Sequence, residues 1–160
     1  MKVEIDQSGK IEDTNRDTVI AFANGRRRAV LITSKTKRRL QEVYRQIGQP
    51  RVFVINTFCA GLALLLKKEL KSGDVVLIDE EYSGYEQLIE ALLRKMLGEK
   101  HDPNISFMQV GKSSPAHILA VSVYRGALKA DRLLTFEELY KESIKTENGR
   151  PVLKYHLPFG

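Results

Sequence analysis

An α/β domain built on a mixed sheet is predicted for this chain by three observations. Asn24-Gly25 joins two β-rich runs, Val19 to Ala23 and Arg28 to Thr33, and this dipeptide is the strongest short hairpin signal. Three later runs, Arg51 to Asn56, Val75 to Asp79 and Ile105 to Val110, alternate with segments carrying helix punctuation. Strands joined through helices demand parallel right-handed crossovers, whereas the opening runs are linked by short turns. The expectation is a three-stranded antiparallel meander followed by parallel strands, with helices on both faces.

The elements follow in order. Lys2 to Asp6 is the first strand, and Gln7-Ser8-Gly9-Lys10 is a polar turn whose glycine accepts positive φ. Ser34 is placed to cap a helix with Leu40, Val43, Tyr44 and Ile47 on one stripe and Gly48 as its stop. Arg51 to Asn56 reads as a strand because VFVI is β-branched and aromatic. Thr57 then caps a helix running to Lys71, whose lysines complement its carboxyl end. After the Val75 to Asp79 strand, Ser83 and Glu86 form a capping box for a helix buried through Leu88, Ile89, Leu92, Leu93 and Met96. Ile105 to Val110 is the next strand. Ser114 caps and Pro115 begins a largely apolar helix to Arg125, and Thr135 to Glu138 is a capping box for a short helix to about Lys145. The predicted order is βββ-α-β-α-β-α-β-α-α.

A length of 160 residues fits a single domain, with a core over about 1–145 and a tail, 146–160, that packs on the body or on a partner. Apolar residues make up 42% and charged residues 29%, the balance of a globular protein. No apolar run reaches membrane-span length, and the N-terminus opens directly on a strand pattern, with no signal or transit peptide visible. Cys59 is the single cysteine, so an internal disulfide and a cysteine-rich zinc site are excluded. A cytoplasmic setting is expected.

The net charge of +6 is unevenly distributed. Residues 21–51 hold nine Lys or Arg against Glu42 alone, a local +8 that leaves the remainder at −2. Concentrated positive charge suits phosphate backbones. The candidate contacts are Arg26, Arg27, Arg28, Lys35, Lys37, Arg38 and Arg39, with Lys112 at the mouth of a helix. A solvated helix face plus a charged hairpin is the plainer alternative.

Two apolar runs end on an aspartate, Asp6 and Asp79, the second followed by Glu80 and Glu81. A strand that delivers a carboxylate to its carboxyl end places it where α/β sheets keep their ligands. Carboxylates brought together repel one another unless a cation lies between them. His117 occupies the third position after the Ser114 cap, where the helix dipole disfavours imidazolium and leaves a ring able to ligate. The bland alternatives are a turn carboxylate for Asp6, a loop cap for Asp79 and a core histidine for His117. Gly111-Lys112-Ser113-Ser114 resembles the end of a P-loop, but position 106 is Ser106, so the motif is incomplete. Cys59 reads as packing, and His101-Asp102-Pro103-Asn104 as a surface turn.

Asp6-Gln7-Ser8-Gly9 followed by a three-stranded meander resembles the opening of the ribonuclease H-like superfamily, including RuvC-type junction resolvases. The resemblance covers roughly residues 1–126 and implies a first metal-binding acid at Asp6, a second at Asp79 and a third ligand at His117. It implies Mg²⁺ or Mn²⁺ and two-metal hydrolysis of a phosphodiester, with Glu80 a further acid. DNA is the first expectation ahead of RNA, and a branched substrate would call for a homodimer. A non-catalytic nucleic-acid or protein-binding domain on the same scaffold is the second expectation, and a small-molecule enzyme acting on a phosphorylated substrate the third.

Overall fold

Lys2–Ser8 (β1), Thr18–Asn24 (β2) and Arg26–Ile32 (β3) form the antiparallel meander, with Asn24 paired to Arg26 across Gly25. Gly25 has φ 70°, the left-handed backbone that the hairpin tip requires. Val75–Asp79 (β4) lies parallel to β1, Asn104–Met108 (β5) parallel to β4, and a short Arg132–Leu133 strand (β6) parallel to β3. The sheet order is β5-β4-β1-β2-β3-β6. This computed structural model describes residues 1–156.

Ser34–Ile47 (α1), Phe53–Leu66 (α2), Glu86–Leu97 (α3) and Phe136–Ser143 (α5) contribute to one continuous core with Val3, Ile5, Ile20, Phe22, Val76 and Ile78 of the sheet. Pro115–Tyr124 (α4) covers the other face, with Leu119, Ala120 and Val123 on Val19, Ala21 and Ala29. Two alanines under α4 leave room for the helix to approach closely. Six of the seven residues of β2 are buried, so it shows no alternation, as expected of a strand covered on both sides. Both faces therefore carry helix, as the pattern predicts.

Residues 51–56 are not a strand. Pro50–Val52 makes one 3-10 turn and the chain enters α2 at Phe53. Twelve of the fourteen α2 residues are buried, so the segment has no polar face, and a fully apolar run does not reveal its period. Gly61 permits this depth of burial: a Cβ there would stand 2.8 Å from Ile20 Cδ1. No side chain caps α2, so the Thr57 cap is corrected as well.

Smaller corrections concern element ends. Thr33, not Ser34, caps α1 by accepting from Thr36 N–H. The Ser83–Glu86 capping box is absent; instead Gly84 N–H donates to Glu86 Oε2 at 2.9 Å just before α3. The Ser114 cap of α4 and the Thr135–Glu138 capping box of α5 form as predicted. The last helix ends at Ser143, and a hairpin, Ile144–Glu147 (β7) with Arg150–Leu153 (β8), runs from there into the predicted tail; residues 157–160 lie outside the described residues.

Candidate functional site

The parallel pairing of β1 with β4 puts Ile5 opposite Ile78, so the next residues, Asp6 and Asp79, occupy neighbouring rows. Val3, Ile5, Val76 and Ile78 point into the larger core, and strand alternation sends Glu4, Asp6 and Asp79 to the α4 face. There His117, in the first turn of α4, brings Nδ1 to 2.6 Å from Asp6 Oδ2. Asp6 is 4% exposed, and its other oxygen accepts from Gln7 N–H at 2.8 Å. Burial pushes the Asp6 carboxyl above its ordinary value; Gln7 N–H and His117 oppose the rise, and the charge of Asp79 adds to it.

Asp79 is half-buried and accepts from Val110 N–H at 2.9 Å, which ties the end of β4 to the loop beyond β5. The neighbouring acid that joins these two is Glu81, not Glu80. Burial raises the Glu81 carboxyl, and the charges of Asp79 and Asp6 raise it further, while Lys10 holds it down. Glu80 is exposed and continues the ladder through its N–H to Met108 O. Glu4, which the strand-end pattern does not single out, also faces this side, and its Oε2 accepts from Ser114 Oγ at 2.9 Å. A sequence signal for Glu4 exists: residues two apart on a strand share a face.

The β1–β2 loop is pinned beside these acids. Gly9 has φ 79°, and a Cβ there would stand 2.2 Å from Asp17 O and 2.6 Å from Tyr124 Cε1. Tyr82 O–H accepts from Gln7 Nε2 at 3.0 Å while its ring meets Phe58 edge-on at 5.1 Å. Lys37 is completely buried and donates to Lys10 O, Asp13 O and Thr18 Oγ1 at 3.0, 2.6 and 3.0 Å. Its role is to clamp the loop, so the phosphate contact expected of Lys37 is corrected.

The other predicted cations divide between two places. β3 runs antiparallel to β2, so the Arg26–Arg28 end lies at the amino end of β1, while Lys35 and Arg38 follow the far end of β3 beside the β1–β2 loop. These cations therefore do not form one continuous grip. Arg26 and Arg28 pair with Glu69 at 2.8 and 3.5 Å. Arg38 donates to Thr14 O at 2.9 Å, and the Arg39 guanidinium lies 3.9 Å over the Phe136 ring. Lys35 and Lys112 are exposed.

Among the described residues no three His, Cys, Asp or Glu side chains are gathered tightly enough to hold an ion as they stand. The donor chemistry nonetheless suits a hard divalent cation: Asp6, Asp79 and Glu81 offer oxygens, and an imidazole is tolerated better by Mn²⁺ than by Mg²⁺. Cys59 is buried, its thiol pushed up by burial, and plays no part. His101 lies in the loop expected there, half-buried and bracketed by Leu97 O and Lys67 O at 3.0 and 2.7 Å. No helix is long and apolar enough to cross a membrane among the described residues. In comparisons with known proteins, no family model, no curated protein and no solved structure matches the chain.

Proposed function

We propose that this protein is a metal-dependent nuclease that hydrolyses phosphodiester bonds of DNA or structured nucleic acid. The observation that carries this reading is the adjacency of Asp6 and Asp79 on parallel strands, with His117 2.6 Å from Asp6 and Glu81 within reach of both charges. Three acids in mutual repulsion call for a cation. The arrangement supports the ribonuclease H-like resemblance: an acid on the first strand, a second ending a parallel strand, a third group on a helix.

Asp6 and Asp79 would hold the ion or ions, Mg²⁺ or Mn²⁺, with Glu81 adding charge. A divalent cation supplies an activated water and stabilises the departing oxygen of a phosphodiester. His117, with Nδ1 2.6 Å from Asp6 Oδ2, would fix the orientation of that carboxylate. Lys10, Lys35 and Lys112 provide positive charge that draws a phosphate backbone toward the acids.

The test is cleavage of single-stranded, duplex, hybrid and branched substrates with Mg²⁺ or Mn²⁺. Asp6→Asn and Asp79→Asn should each abolish metal-dependent cleavage and leave affinity for nucleic acid in place. Cleavage that persists in Asp6→Asn, or in chelator, overturns the reading. A non-catalytic binding domain is the second reading, favoured by an Asp6 whose oxygens already have protein partners. It predicts binding indifferent to metal and to both substitutions.

A further inference from the structure

The hairpin end of the sheet carries a concentration of cations that the acidic cluster does not use. Arg27 is exposed and stands on β3 opposite Ala23, which stands opposite Glu4. It is thus two strands, roughly 10 Å, across from β1. Arg27 lines a hollow of about 240 Å³ with Lys129 and Asp131, over Leu119 and Leu128. A second hollow of about 200 Å³ lies alongside, with Arg28, Lys68 and Arg132. A third, of about 380 Å³, has Arg26 and Lys71 on its wall. Four separate pieces of chain thus bring positive charge to one end of the sheet: β3, the segment after α2, the loop after α4, and β6.

The carboxylates nearby are already engaged. Glu69 pairs with Arg26 and Arg28, Asp74 pairs with the N-terminal ammonium at 2.8 Å, and Asp131 keeps its charge while accepting from Ala29 N–H. Arg132 pairs with Glu138. Positive charge is left in excess, with Arg27, Lys68 and Lys129 exposed. Arginine forks and exposed lysines set around hollows suit phosphate oxygens repeated along a backbone.

We propose that this end of the sheet is a second phosphate-binding surface, separate from the acidic cluster, that takes the backbone of a nucleic acid. It shares with the nuclease reading the choice of nucleic acid as partner and is independent of the metal chemistry. A substrate held there is anchored away from the acids, so loss of the surface raises KM and leaves kcat in place.

The experiment is fluorescence anisotropy on a labelled duplex and a labelled single strand, with the full chain carrying Asp6→Asn, in chelator. Arg27→Ala with Lys129→Ala should weaken binding, and the slope of log K against log salt should flatten by roughly 0.9 for each duplex phosphate that is no longer neutralised. Lys145→Ala with Arg150→Ala removes the same charge from the β7–β8 hairpin and should leave binding unchanged. The proposal is overturned if the first pair binds like its parent or if the control pair weakens binding as much. It is also overturned if anionic phospholipid vesicles capture the protein while the duplex does not. Binding that survives in chelator while every cleavage assay fails would sink the nuclease reading and leave this surface standing.

Discussion

His117 Nδ1 stands 2.6 Å from Asp6 Oδ2, joining the first turn of α4 to the fifth residue of β1 across 111 positions of sequence. The same helix turn is tied again one strand step away, where Ser114 Oγ donates to Glu4 Oε2 while accepting from Ala116 N–H. A helix anchored twice to one strand leaves its histidine little freedom. The contact makes His117 a positioning residue for Asp6 in the proposed reaction.

His117→Ala should therefore reduce metal affinity by about 10- to 100-fold, the usual effect of losing a partner that orients a ligand. His117→Asn should recover part of it by restoring a donor near Asp6. Calorimetric titration with Mn²⁺ reads both variants. Equal affinity in His117→Ala and wild type would mean that the contact serves packing alone.

Glu81 and Glu80 separate a charge in the cluster from a charge outside it. Glu81→Gln should weaken the metal dependence of cleavage, whereas Glu80→Gln should leave it at the wild-type level. Activity measured against Mg²⁺ concentration distinguishes the two. The reverse ranking would restore Glu80, the acid to which the sequence points.

Lys37→Met leaves Lys10 O, Asp13 O and Thr18 Oγ1 without their donor and should destabilise the fold by roughly 2 kcal/mol. Burial pushes the Lys37 ammonium down to about 8 from an ordinary 10.5. Between these values the unfolded chain keeps a proton that the folded chain releases, so the contribution of Lys37 to stability rises with pH through that window. The gap between wild type and Lys37→Met should widen accordingly as pH rises from 8 toward 10.5. Denaturant midpoints at several pH values test this, and a constant gap would contradict it.

Gly9→Ala forces a side chain into positive φ and against Asp17 O and Tyr124. The strain should cost on the order of 1–3 kcal/mol. Because this turn holds the loop carrying Lys10 and Glu12 beside the acids, cleavage should fall by more than the folded fraction does. Thermal melts paired with activity at low temperature measure the two effects separately.

The legible parts of this fold are those with local signals. Asn24-Gly25 marks a hairpin because few dipeptides accept its backbone, and Ser114-Pro115 and Thr135 to Glu138 mark helix starts through their own hydrogen bonds. Residues 51–56 mislead because β-branched propensity competes weakly with burial on every side. Lys37 reads as a surface cation because charge in a sequence carries no sign of burial, and only the packing of α1 on the β1–β2 loop encloses it. Asp79 ends β4 as its run predicts, whereas Asp6 is followed by two more β1 residues, Gln7 and Ser8, because pairing with Ile20 and Val19 carries the strand through the expected turn.

The sequence by itself determined the antiparallel opening, the later α/β alternation, two helix caps and the acid that ends β4, since each depends on neighbours along the chain. Tertiary structure alone decided that β4 lies beside β1, that Glu81 and Glu4 face the cluster while Glu80 does not, and that the arginine hairpin and the start of α1 lie at different ends of the sheet. Strand order and facing depend on contacts between residues far apart in the chain, and no short-range preference encodes them.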